Sequence, residues 1–223
     1  MLKGIWIISL EVIPLNLEPF IFDCEVFAYD WLFVFKNKVT KEYTIIWNDN
    51  EAVEQFMTQE PLLAGFNNKH YDQFILKAVL SGFTPEEIKA VNDFIIVGQH
   101  EGWEYAPLRD CGIFFDQYDL MDDCQMGLSL KAIEAHLGMD IRETTVSFNI
   151  NRPLTEDEKR EVEFYCCYDV DATDRLDDLR QGYLSSKLTL GREKGLYPAK
   201  ALYMTNAKLT AAYLDAEQKP HYD

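Results

Sequence analysis

Asp23 and Glu25 stand two residues apart inside the apolar run Phe20-Ile21-Phe22-Asp23-Cys24-Glu25-Val26-Phe27. Side chains alternate along a β-strand, so the two carboxylates share one face and Cys24 takes the other. Two acids on one face of a central strand are costly unless something positive pairs with them. A hard divalent cation such as Mg²⁺ or Mn²⁺ does this well. The competing account is a strand end that leaves both acids in water. Two more clusters follow: Asp72 closes Asn67-Asn68-Lys69-His70-Tyr71-Asp72, and Asp169 closes Tyr165-Cys166-Cys167-Tyr168-Asp169. Four carboxylates converging from three segments can hold two divalent ions, the usual apparatus for cutting a phosphodiester bond. With 38 acidic residues in the chain, everything turns on whether these four meet.

Asp72 follows a buried strand and opens a helix. An acid there also stabilises the helix dipole, and Asn67 or Asn68 can simply form turns. The placement equally suits a site, because ligands in open α/β sheets gather at strand ends. Asp169 is placed by projecting its helix at 100° per residue, where Val162, Cys166, Ala172, Thr173 and Leu176 flank it within about 60°. It therefore sits in the core-facing stripe, while Asp171, Asp174, Asp177 and Asp178 fall mostly on the other side, as a solvated face would. An acid in an apolar stripe needs a metal or a partner; a buried ion pair or a capping contact would also serve. Tyr165 lies one turn before Asp169 on the same side. It is either a core aromatic with a satisfied hydroxyl or a group that can hold an attacking water. His70, His100, His136 and His221 are scattered and form no nucleophile–base pair. The run Asp116, Asp119, Asp122, Asp123 lacks the glycine of a calcium loop and reads as a solvated strand end, although Asp119 could line a cleft.

The elements that must position these residues are legible from pattern. Strands are expected at 20–27, 31–35, 43–47, 61–66 and 112–120, the first two antiparallel because only Ala28-Tyr29-Asp30 separates them. Asn48-Asp49 can cap a helix over 51–57. Helices follow over 72–80, ended by Gly82; from the capping box Thr84-Pro85-Glu86-Glu87; and over 130–137, capped by Ser129 and stopped by Gly138. A second capping box, Thr155-Glu156-Asp157-Glu158, opens a long helix to about residue 179, and a last helix spans about 206–215. The expected architecture is α/β, a mixed five-stranded sheet flanked by helices, in the pattern of an RNase H-like core. Residues 1–18 read as an N-terminal extension, 19–190 as the main domain and 191–223 as a helical tail.

Composition narrows the field. With 48% hydrophobic and 13% aromatic residues, 223 residues can build one sizeable core. A net charge of −17 argues against a broad non-specific nucleic-acid-binding face, but bound cations reverse the sign locally. Five cysteines with no CxxC spacing suit reduced thiols in a cytoplasmic compartment better than zinc or disulfides. The apolar run from Ile5 to Leu10 is too short to cross a membrane and carries no signal-peptide pattern, so no membrane association is expected; it reads as a strand or a docking extension.

At its three acidic clusters the chain resembles the DnaQ-like, or DEDD, 3′–5′ exonucleases. Asp23-Cys24-Glu25 matches the first motif, Asn67 through Tyr71-Asp72 the second, and Tyr165 with Asp169 the third, in the form that marks the tyrosine branch. A closer similarity covers most of residues 19–215 and is to the N-terminal proofreading region of phage-type DNA polymerases. It is carried also by Tyr29-Asp30-Trp31, Ser129 to Glu134, Arg152 to Thr155, and Thr205 to Thr210. The resemblance implies that Asp23, Glu25, Asp72 and Asp169 bind two Mg²⁺ or Mn²⁺ ions about 4 Å apart, with Tyr165 orienting a water and a nucleoside 5′-monophosphate as product. It implies a single-stranded DNA 3′ end as substrate, with Asn67, Phe27 and Tyr71 touching it. It further implies a DNA polymerase domain or subunit as partner, and a bacterial host cell's cytoplasm if the chain is phage-encoded. Residues after Gly191 are too few for a polymerase. A catalytically silent nuclease-fold module that docks to a partner is the runner-up, and an RNase H-type endonuclease the third reading.

Overall fold

The structure is a computed structural model, and it describes residues 18–124 and 127–216; the N-terminal run from Ile5 to Leu10 and His221 lie outside them. Five strands form one sheet: β1 (Phe20–Val26), β2 (Trp31–Asn37), β3 (Tyr43–Trp47), β4 (Leu63–Gly65) and β5 (Gln117–Asp119). Their order is β3-β2-β1-β4-β5. The first three run antiparallel, whereas β4 pairs parallel to both β1 and β5. Between and after them lie α1 (Asn50–Met57), α2 (Asp72–Leu80), α3 (Pro85–Ile96), α4 (Ala106–Arg109), α5 (Leu130–His136), α6 (Glu156–Glu193), α7 (Pro198–Tyr203) and α8 (Asn206–Tyr213). The mixed α/β sheet flanked by helices is therefore as expected. No helix among the described residues is long and apolar enough to cross a membrane.

Alternation along β1 divides the core in two. Phe22, Cys24 and Val26 pack with Phe33, Phe35, Phe74, Ile75 and Val91 on the side of α2 and α3. Ile21 and Phe27 pack with Leu32, Val34, Val162, Cys166 and Val170 on the side of α6. Asp23 and Glu25 share the second face, so β1 aims both at α6. The helix starts follow the capping chemistry. Thr84 and Thr155 close reciprocal capping boxes with Glu87 and Glu158, and Asp49 and Ser129 accept from the backbone N–H groups of Ala52 and Ala132.

Three expectations need correction. The strand expected over 112–120 shrinks to Gln117–Asp119, because β4, its one neighbour among the described residues, is itself three residues long. The long helix does not stop near residue 179 but runs to Glu193. There Gly191 lies against α7 so closely that a Cβ would sit 2.4 Å from that of Ala201. The domain boundary expected at residue 191 thus falls inside a helix, and Ala199 and Leu202 of α7 belong to the same core as the sheet.

The third correction concerns the acids behind Asp169. Asp174 and Asp177 are not solvated but 4% and 0% exposed. A row of lysines from β2 and the β2–β3 turn covers them. Lys36 reaches Asp171 at 2.7 Å and Asp174 at 2.6 Å; Lys38 meets Asp174, Asp177 and Asp178 at 2.7–2.9 Å; Lys41 adds Asp174 at 2.8 Å. Burial pushes the Asp174 carboxyl up, but these ammonium groups outweigh it and hold the group down at about 2. Asp177 also accepts from the Tyr118 hydroxyl at 2.8 Å. The comb fixes α6 against β2, and hence Asp169 against β1. Removing one partner of a buried pair leaves the other charge uncompensated. Asp177→Ala is therefore expected to cost about 3 kcal/mol in urea denaturation, and Asp178→Ala, whose side chain is 60% exposed, under about 1 kcal/mol.

Candidate active site

Asp23, Glu25 and Cys166 form the centre of the site. One donor atom from each lies within 4.8 Å of the others, and the Cys166 thiol faces Asp23 Oδ2 at 3.6 Å. Asp72 enters from the first turn of α2. Its Oδ1 accepts from the Cys24 backbone N–H at 3.2 Å and the Cys24 thiol at 3.1 Å. Cys24 thus faces away from Asp23, as alternation requires, yet its donors tie Asp72 to the back of β1. Asp169 comes from the middle of α6, buried in the stripe where the projection placed it. It pairs with Lys131 of α5, and the nearby Tyr165 hydroxyl helps hold its carboxyl down.

The four acids feel one another. Burial pushes the Asp23 carboxyl well above the ordinary range, and the charges of Asp72, Glu25 and Asp169 push it further. Glu25 is raised by burial and then by Asp169 and Asp72, against Lys131. Burial also raises Asp169, opposed by Lys131 and Tyr165. Clustered acids with raised proton affinity mark a place that wants a cation. The donor set fits one: carboxylate oxygens for a hard divalent ion, and a buried thiol that adds softness. Burial, then Asp23 and Glu25, hold that thiol protonated, so ligation through sulfur would release a proton.

The surrounding residues divide. Asn67 adopts a left-handed φ of 65° and accepts from the backbone N–H groups of His70 and Tyr71, which turns the chain into α2. Tyr71 packs beside the α2–α3 core, its hydroxyl donating to Asn92 at 2.7 Å. It lines a cavity of about 340 Å³ with Glu25, Asn92, Phe148 and Asn149. Phe27 cannot meet a substrate base as expected: it is wholly buried, its ring stacked on Phe148 at 5.0 Å. Phe148, 42% exposed, presents the aromatic surface instead. Asp119 is neither solvated nor lining a cleft. It is buried and accepts from the N–H groups of Asn67, Lys69 and Met121 at 2.8–3.0 Å, clamping the turn that leads to Asp72.

Lys131, Cys166 as a donor, and Phe148 are the residues that spacing alone did not single out. Lys131 does lie in the stretch Ser129 to Glu134 that carries the family resemblance, but its ion-pair partner is 38 residues away. No protein-family model, curated protein or solved structure matches the chain.

Burial pushes Asp72 from its usual 3.8 to about 6, against the pull of the Cys24 donors. An acid raised in the folded state binds its proton more tightly there than in the unfolded chain. The stability it contributes is complete below about pH 4 and lost as pH rises through about 6. The metal-free protein should therefore lose melting temperature between pH 4 and 6, Asp72→Asn should flatten that slope, and Mn²⁺ should restore stability at pH 7. Titration with Cd²⁺ should give a thiolate-to-metal charge-transfer band that Cys166→Ser abolishes; a band unchanged in that variant would remove Cys166 from the donor set.

Proposed function

We propose that this chain is a metal-dependent 3′–5′ exonuclease acting on single-stranded or frayed DNA ends, on an RNase H-like fold. The observation that carries the proposal is the grouping of Asp23 and Glu25 with Cys166 on the α6 side of β1, with Asp72 and Asp169 near enough for their charges to raise the Asp23 carboxyl. The strand order β3-β2-β1-β4-β5, antiparallel then parallel, supports the fold assignment. Two divalent ions bound there, Mg²⁺ or Mn²⁺, would supply a water of lowered pKa and charge to stabilise a leaving 3′-oxygen.

The chain's own residues divide the remaining work. Asp23 and Glu25 present their oxygens from one face of a strand, Asp169 faces them from α6 on its pair with Lys131, and Asp72 stands behind β1, held by the Cys24 donors. Tyr165, close enough to Asp169 to influence its carboxyl, would orient the attacking water. The cavity beside Glu25, with Tyr71 and Phe148 in its wall, suits a terminal base, since aromatic faces accept any base by stacking. Asn67 borders the same turn and is a candidate contact for the strand. The product would be a nucleoside 5′-monophosphate, and a replication polymerase domain or subunit is the fitting partner.

One observation favours the runner-up, a silent module that docks to a partner: Asp169 is already neutralised by Lys131. A 3′-labelled single strand incubated with Mg²⁺ or Mn²⁺ separates the two. Stepwise shortening from the 3′ end is expected, with Asp23→Ala and Asp169→Ala each slowed more than about 100-fold, since losing even an outer-shell partner of a metal costs 10–100-fold. No metal-dependent shortening, or shortening that survives both substitutions, would favour the docking module. RNA and hybrid substrates run alongside test the choice of sugar.

A further inference from the structure

Lys131 stands at a junction of three groups. Its Nζ pairs with Asp169 Oδ1, lies 3.4 Å from Glu134 Oε1 and sits 4.8 Å from the Tyr165 ring centroid. Glu134 is one turn further along α5, fully buried, and its second oxygen, Oε2, has no hydrogen-bond partner among the described residues. A buried carboxylate oxygen left bare is expensive. Lys131 already donates to the other oxygen, Oε1, at 3.4 Å, but makes its closer contact with Asp169.

We propose that Lys131 is a positioning residue that acts as an exchangeable counter-ion, held on Asp169 while that carboxylate has no other cation and passed to Glu134 when a divalent ion takes Asp169. The proposal rests on the metal reading above. Two cations on one carboxylate in a partly dry pocket repel each other. For a divalent ion to bind through Asp169 Oδ1 the ammonium must leave that oxygen, and Glu134, whose Oε1 it already meets at 3.4 Å, offers the next seat. No bond breaks and no proton moves; one ion pair replaces another. Affinity for the metal is then set by the difference between the two seats. The same move frees Asp169 from its ammonium, and Tyr165 from the charge over its ring, in the metal-bound form alone.

The test is Mn²⁺ binding by isothermal titration calorimetry, alongside melting temperature in EDTA, for the wild-type chain, Lys131→Met and Glu134→Gln. Lys131→Met removes the competitor and should bind Mn²⁺ on the order of tenfold more tightly while melting lower in EDTA. Glu134→Gln removes the retreat and should bind on the order of tenfold more weakly. Opposite shifts from neighbouring residues on one short helix are not what a merely structural role would give. Lys131→Arg, which keeps the charge, should stay on the wild-type side of Lys131→Met. Unchanged or same-signed shifts in the two variants, with the wild type binding Mn²⁺, would overturn the counter-ion role and leave the metal reading intact. Uptake seen only in Lys131→Met would support the role in its strongest form. Uptake in none of the proteins would overturn both.

Discussion

Holding like charges together is the constraint around which this molecule is arranged. Two carboxylates a few ångströms apart in a partly dry pocket repel by roughly 3 kcal/mol at an effective dielectric of 20, and here four share one region. None of them is there by chance contact. Asp23 and Glu25 are fixed by the pleat of a strand with neighbours on both sides. Asp72 is held by the Cys24 donors, and Asp169 by Lys131. Each acid has its own anchor, so the cluster persists although its members resist it.

The anchors are in turn held by ion pairs and backbone clamps remote from the centre. The lysine comb of Lys36, Lys38 and Lys41 pins α6 to β2, which sets the register between Asp169 and β1. Asp119 clamps the turn before Asp72. Asp30 joins the β1–β2 turn to the start of α6 by accepting from the Leu154 N–H and the Asn48 amide and pairing with Lys159. Buried pairs like these add little net stability, but they fix geometry, because breaking any one strands a charge.

How much of this was legible depends on range. Local signals were faithful: period-two alternation put Asp23 and Glu25 on one face, capping boxes placed the starts of α3 and α6, and helical projection put Asp169 in the apolar stripe. What failed depended on partners distant in sequence. Asp174 and Asp177 project to the polar side of α6, and nothing near them reveals that lysines more than 130 residues earlier cover that side. Phe27 reads as an available aromatic, but it is buried in the core on the α6 side and stacked on Phe148, far later in the chain. Asp119 sits in an acidic run that resembles a solvated edge, and only the fold shows the three N–H groups aimed at it. The same limit hid Lys131, a helix lysine like any other until α5 is docked on α6.

The charge balance gives the arrangement its sense. Against a net charge of −17, Lys36, Lys38, Lys41, Lys69, Lys131 and Lys159 are all engaged with internal aspartates. Affinity for a polyanion that depends on counterion release needs cations beyond these engaged ones, and Lys89 lines the cavity beside Glu25. A nucleic-acid strand would then be held less by surface lysines than by stacking and by ions gathered at the carboxylates themselves. On that view the same acids that repel a polyanion in the absence of metal attract its phosphate once divalent ions invert the local potential. On the proposed reading, metal binding and substrate binding would become one event, with the ammonium on Asp169 setting its threshold.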